Sequence, residues 1–363
     1  MALRRRAVDD ALVSWDGRRV LVTGHTGFKG SWLSLWLREL GADVVGVADG
    51  VPTTPSLYAS AGVADLVHDV RADVTDQTAV RQAVVAAEPD VVFHLAAQSL
   101  VRRSYTDPVG TWRTNVDGTV AVLEAVRAAP SVRAVVVVTS DKCYRQPGPG
   151  RPYLEDDALG GDDPYSSSKA AAELATASWR RSFLDDGPPV ATARAGNVLG
   201  GGDWAPDRLV PDTIRAASAG RPLVVRNPSY TRPWQDVLDC LHGYLLLAEA
   251  LLAGEDVAEA WNFGPDPEAV QPVRAVVDGL ARRWPGGFAH TTTPASGPHE
   301  ASALLLDSSK ARARLGWAPR RSLEDTLDHL VEWYVTEQRG DDVAALCLRH
   351  LRTFGPPATV ARA

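Results

Sequence analysis

Cysteine is scarce in this chain: Cys143, Cys240 and Cys347 are the only three in 363 residues. Scattered and odd in number, they offer neither a disulfide framework nor a metal-binding spacing. No metal site is expected, and a reducing, cytoplasmic setting fits best. Long apolar runs are missing as well. None approaches the ~20 residues that a membrane span needs, so no membrane partner is expected. The basic start at residues 1–6 lacks a following apolar core and does not read as a signal peptide. It reads as an unstructured leader of about a dozen residues. Positive charge is not in excess: 38 Lys and Arg stand against 45 Asp and Glu, a net charge of -7. That balance argues against nucleic acid as a partner, while a local basic pocket remains compatible with it. Internal repeats and low-complexity tracts are absent too.

What is present is an ordinary globular composition, 45% apolar and 23% charged, in a chain long enough for two units. Apolar runs at 20–23, 43–48, within 63–74, and at 91–95, 134–138 and 190–194 read as strands. Helical patterns lie between them at 31–38, 78–87, 107–128 and 165–184. This alternation predicts an α/β fold, a doubly wound parallel Rossmann sheet over 15–196. The rhythm then breaks into a smaller C-terminal α/β substrate lobe over 197–350. The two are interleaved, with 236–254 packing back onto the sheet. Helices are expected at 208–219, 237–253, 308–315 and 323–338, a strand at 260–263 and a loop at 291–298. The last helix is expected to end the ordered part, leaving 355–363 as a frayed tail.

The first strand runs into Gly24-His25-Thr26-Gly27-Phe28-Lys29-Gly30 and then a helix. A glycine turn opening a helix presents backbone N–H groups and a positive helix end to a dinucleotide pyrophosphate. Glycines also occur there simply to let a helix pack on a strand. Asp49, nineteen positions after Gly30, stands where an acidic residue accepts the ribose hydroxyls of NAD, or where a turn needs an aspartate. It favours NAD over NADP, whereas Lys29 within the turn leaves that preference open.

Tyr165 and Lys169 in Tyr165-Ser166-Ser167-Ser168-Lys169 share one helix face. A free tyrosine, with a pKa near ~10, is a poor base at neutral pH. A neighbouring ammonium would bring it into range to take a hydroxyl proton. Ser140, Asp141 and Lys142 follow an apolar strand, at the sheet end where α/β proteins place ligands. Ser140 can bond a sugar hydroxyl or ketone. Asp141 and Lys142 make a second acid/base couple that simple hydride transfer does not need, unless they are merely a charged turn. Arg208 and Arg232 can clamp a diphosphate or lie on a solvated face. Trp204, Trp234 and Trp261 are candidates for stacking on a base or sugar, or for the core.

On these residues the chain resembles the extended short-chain dehydrogenase/reductases, and among them the CDP-glucose 4,6-dehydratases. The carrying stretches are the glycine turn, His94-Leu95-Ala96-Ala97-Gln98, Thr139-Ser140-Asp141-Lys142-Cys143-Tyr144, the run Gly196 to Trp204, Arg232-Pro233-Trp234-Gln235 and Trp261-Asn262-Phe263-Gly264-Pro265. The Asp-Lys pair is the most specific of them. The resemblance implies a tightly bound NAD recycled within each turnover, and a nucleotide-diphosphate sugar as substrate. Tyr165 would take the C4 hydroxyl proton, Lys142 the C5 proton, and Asp141 would protonate the departing C6 hydroxyl. By position, Asp73 and Val74 would meet the adenine. Leu95, Ala96, Ala97, Thr139 and Lys169 would line the ribose and nicotinamide, and Gln98, Ser99, Asn197, Arg208 and Arg232 would face the substrate. A homodimer through the 107–128 and 165–184 helices is implied as well. Asp49, the loop at 145–150 and Asp236 depart from the family's usual residues, the last two in stretches tied to the substrate pocket. A nucleotide-sugar epimerase or decarboxylase would need only Tyr165 and Lys169, and a non-catalytic NAD-sensing protein would need neither.

Overall fold

The computed structural model describes residues 14–146, 148, 150–293 and 304–357. The leader, most of the loop expected at 291–298 and the tail beyond 357 lie outside the described residues. Twelve strands occur among those described: β1 (Arg19–Thr23), β2 (Asp43–Ala48), β3 (His68–Arg71), β4 (Val91–His94), β5 (Ala134–Val138), β6 (Val190–Ala195), β7 (Asn197–Leu199), β8 (Leu223–Arg226), β9 (Thr231–Asp236), β10 (Ala260–Phe263), β11 (Val270–Pro272) and β12 (His290–Thr293). Seven form one sheet in the order β10-β6-β5-β4-β1-β2-β3, every pair parallel. The strand order reverses between β1 and β4, which opens a crevice at their carboxyl ends.

The central strands are buried along their whole length because helices cover both faces. Their side chains alternate between two cores. Val20, Val22, Val91, Phe93, Val136 and Val138 pack with Trp32, Trp36 and the Val237–Leu252 helix. Leu21, Val92, Val135 and Val137 pack with Val80, Val84, Val122 and Val126 on the opposite face. The apolar Val237–Leu252 helix lies against β5 and β6. β10, from within the stretch assigned to the lobe, pairs with β6 at the edge of the main sheet. The remaining strands form two small sheets, β11-β9-β7 and β12-β8.

Three expectations are corrected. The 107–128 helix is interrupted: Pro108–Trp112 and Gly118–Arg127 flank a π-helical turn at Arg113–Asp117. Residues 291–293 are strand, since β12 pairs with β8. The chain also stays ordered past 338. Leu323–Arg339 is followed by a further helix, Val343–Phe354, that buries Leu346, Cys347, Leu351 and Phe354. The intervening break reads as a stop but works as a left-handed Gly340 cap (φ 74°) followed by the Asp342 N-cap. All three cysteines are free and buried. Among the described residues no helix is long and apolar enough to cross a membrane, and no group of His, Cys, Asp or Glu is placed to hold a metal ion.

Candidate functional site

The crevice is part of a cleft of about 1240 Å³, and the candidate residues named from the sequence, Trp261 apart, line it. The three glycines of the turn differ in what they do. A Cβ on Gly24, at φ +74°, would lie 2.7 Å from the Ala96 nitrogen, and one on Gly30 would lie 2.1 Å from the Gly24 oxygen. Those two let β1, the exit of β4 and the helix meet. Gly27 would meet only the Gly24 oxygen, at 3.4 Å. Its missing side chain keeps the cleft open instead. The Phe28–Glu39 helix starts there with no side-chain cap and no acidic residue in its first turn, leaving its positive end available to an anion. Thr26 Oγ1 donates to the Gly50 carbonyl at 2.7 Å, which folds the turn onto the end of β2 beside exposed Asp49. Asp73 accepts from the Thr75 amide, and Val74 is buried against Gly118. At the switch point, Thr23 Oγ1 bonds His94 Nδ1 at 2.7 Å and accepts from the Ala96 amide, fixing the Leu95-Ala96-Ala97 segment.

Beyond β5 the chain makes a short 3₁₀ turn at Asp141–Cys143. Ser140 caps it, accepting from the Lys142 amide and donating to Asp141 Oδ1 at 2.9 Å. Lys142 Nζ stands 3.8 Å from the same oxygen. The other, Asp141 Oδ2, is buried with no hydrogen-bond partner. A Cβ on Gly196 would come within 3.1 Å of it, so that glycine makes room for the carboxylate.

Tyr165 and Lys169 come from the Pro164–Ser182 helix, capped by Asp163, which accepts from the Ser166 amide at 3.0 Å. The tyrosine is corrected from expectation. Burial pushes its phenol up to about 12, opposed by a hydrogen bond with Ser140 and by the Arg208 charge. The reason lies in where Lys169 points: its Nζ donates to the Val138 carbonyl at 3.2 Å. Burial, reinforced by the Lys29 charge, brings Lys169 down to about 8. Lys29 itself engages the Val237–Leu252 helix through Tyr244 Oη (3.3 Å) and Cys240 Sγ (3.6 Å). If a protonated Lys169 is needed for turnover, kcat/KM falls as pH rises through about 8. A rate that stays flat well above that pH would remove Lys169 from the reaction.

On the substrate side, Arg208 donates to Asp203 Oδ2 (3.0 Å) and Ser99 Oγ (3.1 Å). Arg232, on β9, stacks over the Tyr230 ring at 5.4 Å, and Asn197 opens β7. Gln98 lines the cleft, yet its amide is spent on Leu100 and Thr111. Asp236 is no part of the cleft: it caps the Val237–Leu252 helix and pairs with Arg321 at 3.2 Å. Trp261 is core, with Lys310 and Arg314 over its ring, whereas Trp204 and Trp234 line the cleft.

The sequence reading missed Asn115. In the π turn, its side chain accepts from the Gln98 amide (2.8 Å) and donates to the Gln98 carbonyl and Ser168 Oγ, joining the two helices to the exit of β4. It also missed Glu173, although its position four residues after Lys169 continues the Tyr165–Lys169 face.

The family model for NAD-dependent epimerases and dehydratases matches residues 20–264, from β1 to just past β10. The chain belongs to the NAD-dependent epimerase/dehydratase family. Within this family it is 44% identical over 347 residues to a CDP-glucose 4,6-dehydratase of Salmonella typhimurium, covering 94% of this chain and 97% of that protein. A dTDP-glucose 4,6-dehydratase of Xanthomonas campestris is 31% identical, with 88% and 93% covered. Among solved structures, the dTDP-glucose 4,6-dehydratase from Streptomyces venezuelae, with NAD and TYD bound, superposes with a TM-score of 0.74. It is 25% identical, with 89% of this chain and 98% of that one covered. The UDP-glucose 4-epimerase from Brucella ovis shares the fold at a TM-score of 0.75 and 24% identity, with 88% and 98% covered.

Proposed function

We propose that this family member is a nucleotide-sugar 4,6-dehydratase that converts CDP-glucose to CDP-4-keto-6-deoxyglucose. The observation that carries the reading is the meeting, in one cleft, of two proton-transfer pairs: Tyr165 beside Ser140, and Asp141 beside Lys142. An oxidation coupled to an elimination needs both. The name of the 44% identical relative supports the cytidine nucleotide.

The open side of Gly27 and the uncapped helix start fit a pyrophosphate, with Asp73 and Val74 at the adenine and Ala96, Thr139 and Lys169 towards the nicotinamide. NAD bound there supplies an electron-pair acceptor for C4 and a donor for C6. Asp49 favours NAD over NADP, because a 2′-phosphate at the end of β2 would meet its carboxylate. Tyr165, with Ser140, takes the proton of the C4 hydroxyl. The resulting ketone acidifies the C5 proton, which Lys142 removes. Asp141, through its unpartnered Oδ2, protonates the C6 hydroxyl, which leaves as water. Ser99, Asn197, Arg208 and Arg232 hold the diphosphate and sugar, with Gln98 shaping the wall. Exposed Val109, Trp112 and Leu174 on the Pro108–Trp112 and Pro164–Ser182 helices support a homodimer through that face. The free buried thiols suit a reducing cytoplasm.

The test is turnover of CDP-, dTDP-, UDP- and GDP-glucose, read by product mass. Loss of water from CDP-glucose is expected, and a C4 epimer with no loss of water would refute the dehydratase reading. A second expectation concerns the cradle. Gly27→Ala leaves the thermal midpoint near native but weakens NAD binding measured by calorimetry. Gly30→Ala, which drives a Cβ into the Gly24 carbonyl, destabilises the fold by about 1–3 kcal/mol. Native NAD affinity in Gly27→Ala would place the pyrophosphate elsewhere.

A further inference from the structure

The residues before and after the Asp141–Cys143 turn share one buried anchor. Glu173 follows Tyr165 and Lys169 on the same helix face, and it is buried. One of its carboxylate oxygens accepts from Thr139 Oγ1 at 2.5 Å. The other accepts from Thr192 Oγ1 at 2.7 Å and from Arg194 Nη2 at 2.8 Å. Burial pushes this carboxyl up, but Arg194 and the two hydroxyls outweigh it and hold the group below the usual carboxylate range. Arg194, on β6, is equally buried. Its Nη1 donates to Tyr144 Oη at 2.7 Å and to the Glu155 carbonyl at 2.8 Å. The Tyr144 hydroxyl in turn donates to Asn262 Oδ1 on β10 at 2.7 Å, and the guanidinium lies over the Tyr144 ring at 4.9 Å.

Thr139 precedes Ser140-Asp141-Lys142-Cys143 and Tyr144 follows it. A single ion pair therefore holds both ends of the segment that carries three of the reacting side chains. It does so from the helix that carries the other two. We propose that Glu173 and Arg194 are positioning residues: their pair sets the distance and register between Ser140, Asp141 and Lys142 on one element and Tyr165 and Lys169 on the other. The two salt-bridged residues touch none of the reacting atoms. Thr139 gives its only hydroxyl proton to Glu173, so what it offers a ligand is a methyl group and an acceptor oxygen. This inference rests on the proposed function for its kinetic consequences, but the anchor itself follows from the hydrogen bonds alone.

Two variants test it. Tyr144→Phe removes one hydroxyl and frees the far end of the segment, while Glu173→Gln keeps the reach to Thr139 but withdraws the charge from Arg194. With CDP-glucose, Tyr144→Phe is expected to lower kcat about 10- to 100-fold with KM within twofold of native, because misplacement acts on the chemistry and not on binding. Its thermal midpoint should stay close to native. Glu173→Gln should lower kcat at least as far, and if it fails to fold, Tyr144→Phe decides. Native kcat in a folded Tyr144→Phe protein overturns the proposal. A second readout does not depend on the reaction: amide hydrogen exchange at 140–143 should speed about tenfold in Tyr144→Phe at an unchanged midpoint, and native protection there also overturns the anchor. If the native protein dehydrates none of the four nucleotide sugars, the proposed function fails, and the exchange result judges the anchor by itself.

Discussion

Lys142→Ala halts the elimination while oxidation at C4 continues. In the native chain Lys142 Nζ stands 3.8 Å from Asp141 and is partly open to the cleft, while Asp141 is almost wholly buried. Removing the lysine leaves Ser140 bonded to Asp141 and leaves the Tyr165 and Lys169 helix untouched, so the C4 hydroxyl still finds its base. The C5 proton does not. Positioned proton transfer contributes ~10²–10⁴-fold, and exchange of C5–H with deuterated solvent should slow by about that factor. The absorbance of reduced cofactor should rise on mixing with CDP-glucose and then persist, because the ketone has no route forward. Exchange at the native rate would show that another group removes the proton. Loss of the reduced-cofactor signal would instead give Lys142 a part in the first step.

Tyr165→Phe stops the reaction earlier. Its ring is buried and its hydroxyl lies beside Ser140, so the substitution takes away one oxygen and little packing. The thermal midpoint is expected to hold, while kcat falls ~10²–10⁴-fold with neither reduced cofactor nor C5 exchange appearing. That pattern, with both partial reactions lost, separates Tyr165 from Lys142, where one survives. The raised pKa of this phenol sharpens the point. Burial outweighs every charge that would favour the phenolate, so the phenol is held protonated until a bound substrate and cofactor change its surroundings. Turnover of Tyr165→Phe at the native rate would dismiss the tyrosine as the base.

Local chemistry made much of the first half of the chain legible. Val91-Val92-Phe93-His94 and Ala134-Val135-Val136-Val137-Val138 read as strands because a parallel sheet covered on both sides demands continuous apolar runs. Asp107-Pro108 announced a helix start, and the structure has Asp107 accepting from the Gly110 amide there. The interruption at Arg113–Asp117 was not legible, since a π turn keeps helical composition and changes only which groups bond. The helix at Val343–Phe354 was hidden by Gly340-Asp341-Asp342, three residues that suit a chain stop and a cap-to-cap joint equally well. Short strands such as β7, β8 and β11 carry three or four residues each, too few for a period to show.

By itself, the sequence determined which chemical groups this protein has and in what local geometry: a glycine turn before a helix, a tyrosine and a lysine on one helix face, and an Asp-Lys couple after a buried strand. These are short-range facts, set by strand and helix periods and by the steric freedom of glycine. Only the tertiary structure decided what those groups are worth. It separated Gly24 and Gly30, needed for packing, from Gly27, open to the cleft. It moved Asp236 and Trp261 out of the site and spent the Gln98 amide on its own chain. It also joined Glu173 to Arg194 and raised the phenol of Tyr165. Burial and charge at a point depend on what the rest of the chain brings there, and that is a sum over distant residues that no local pattern contains.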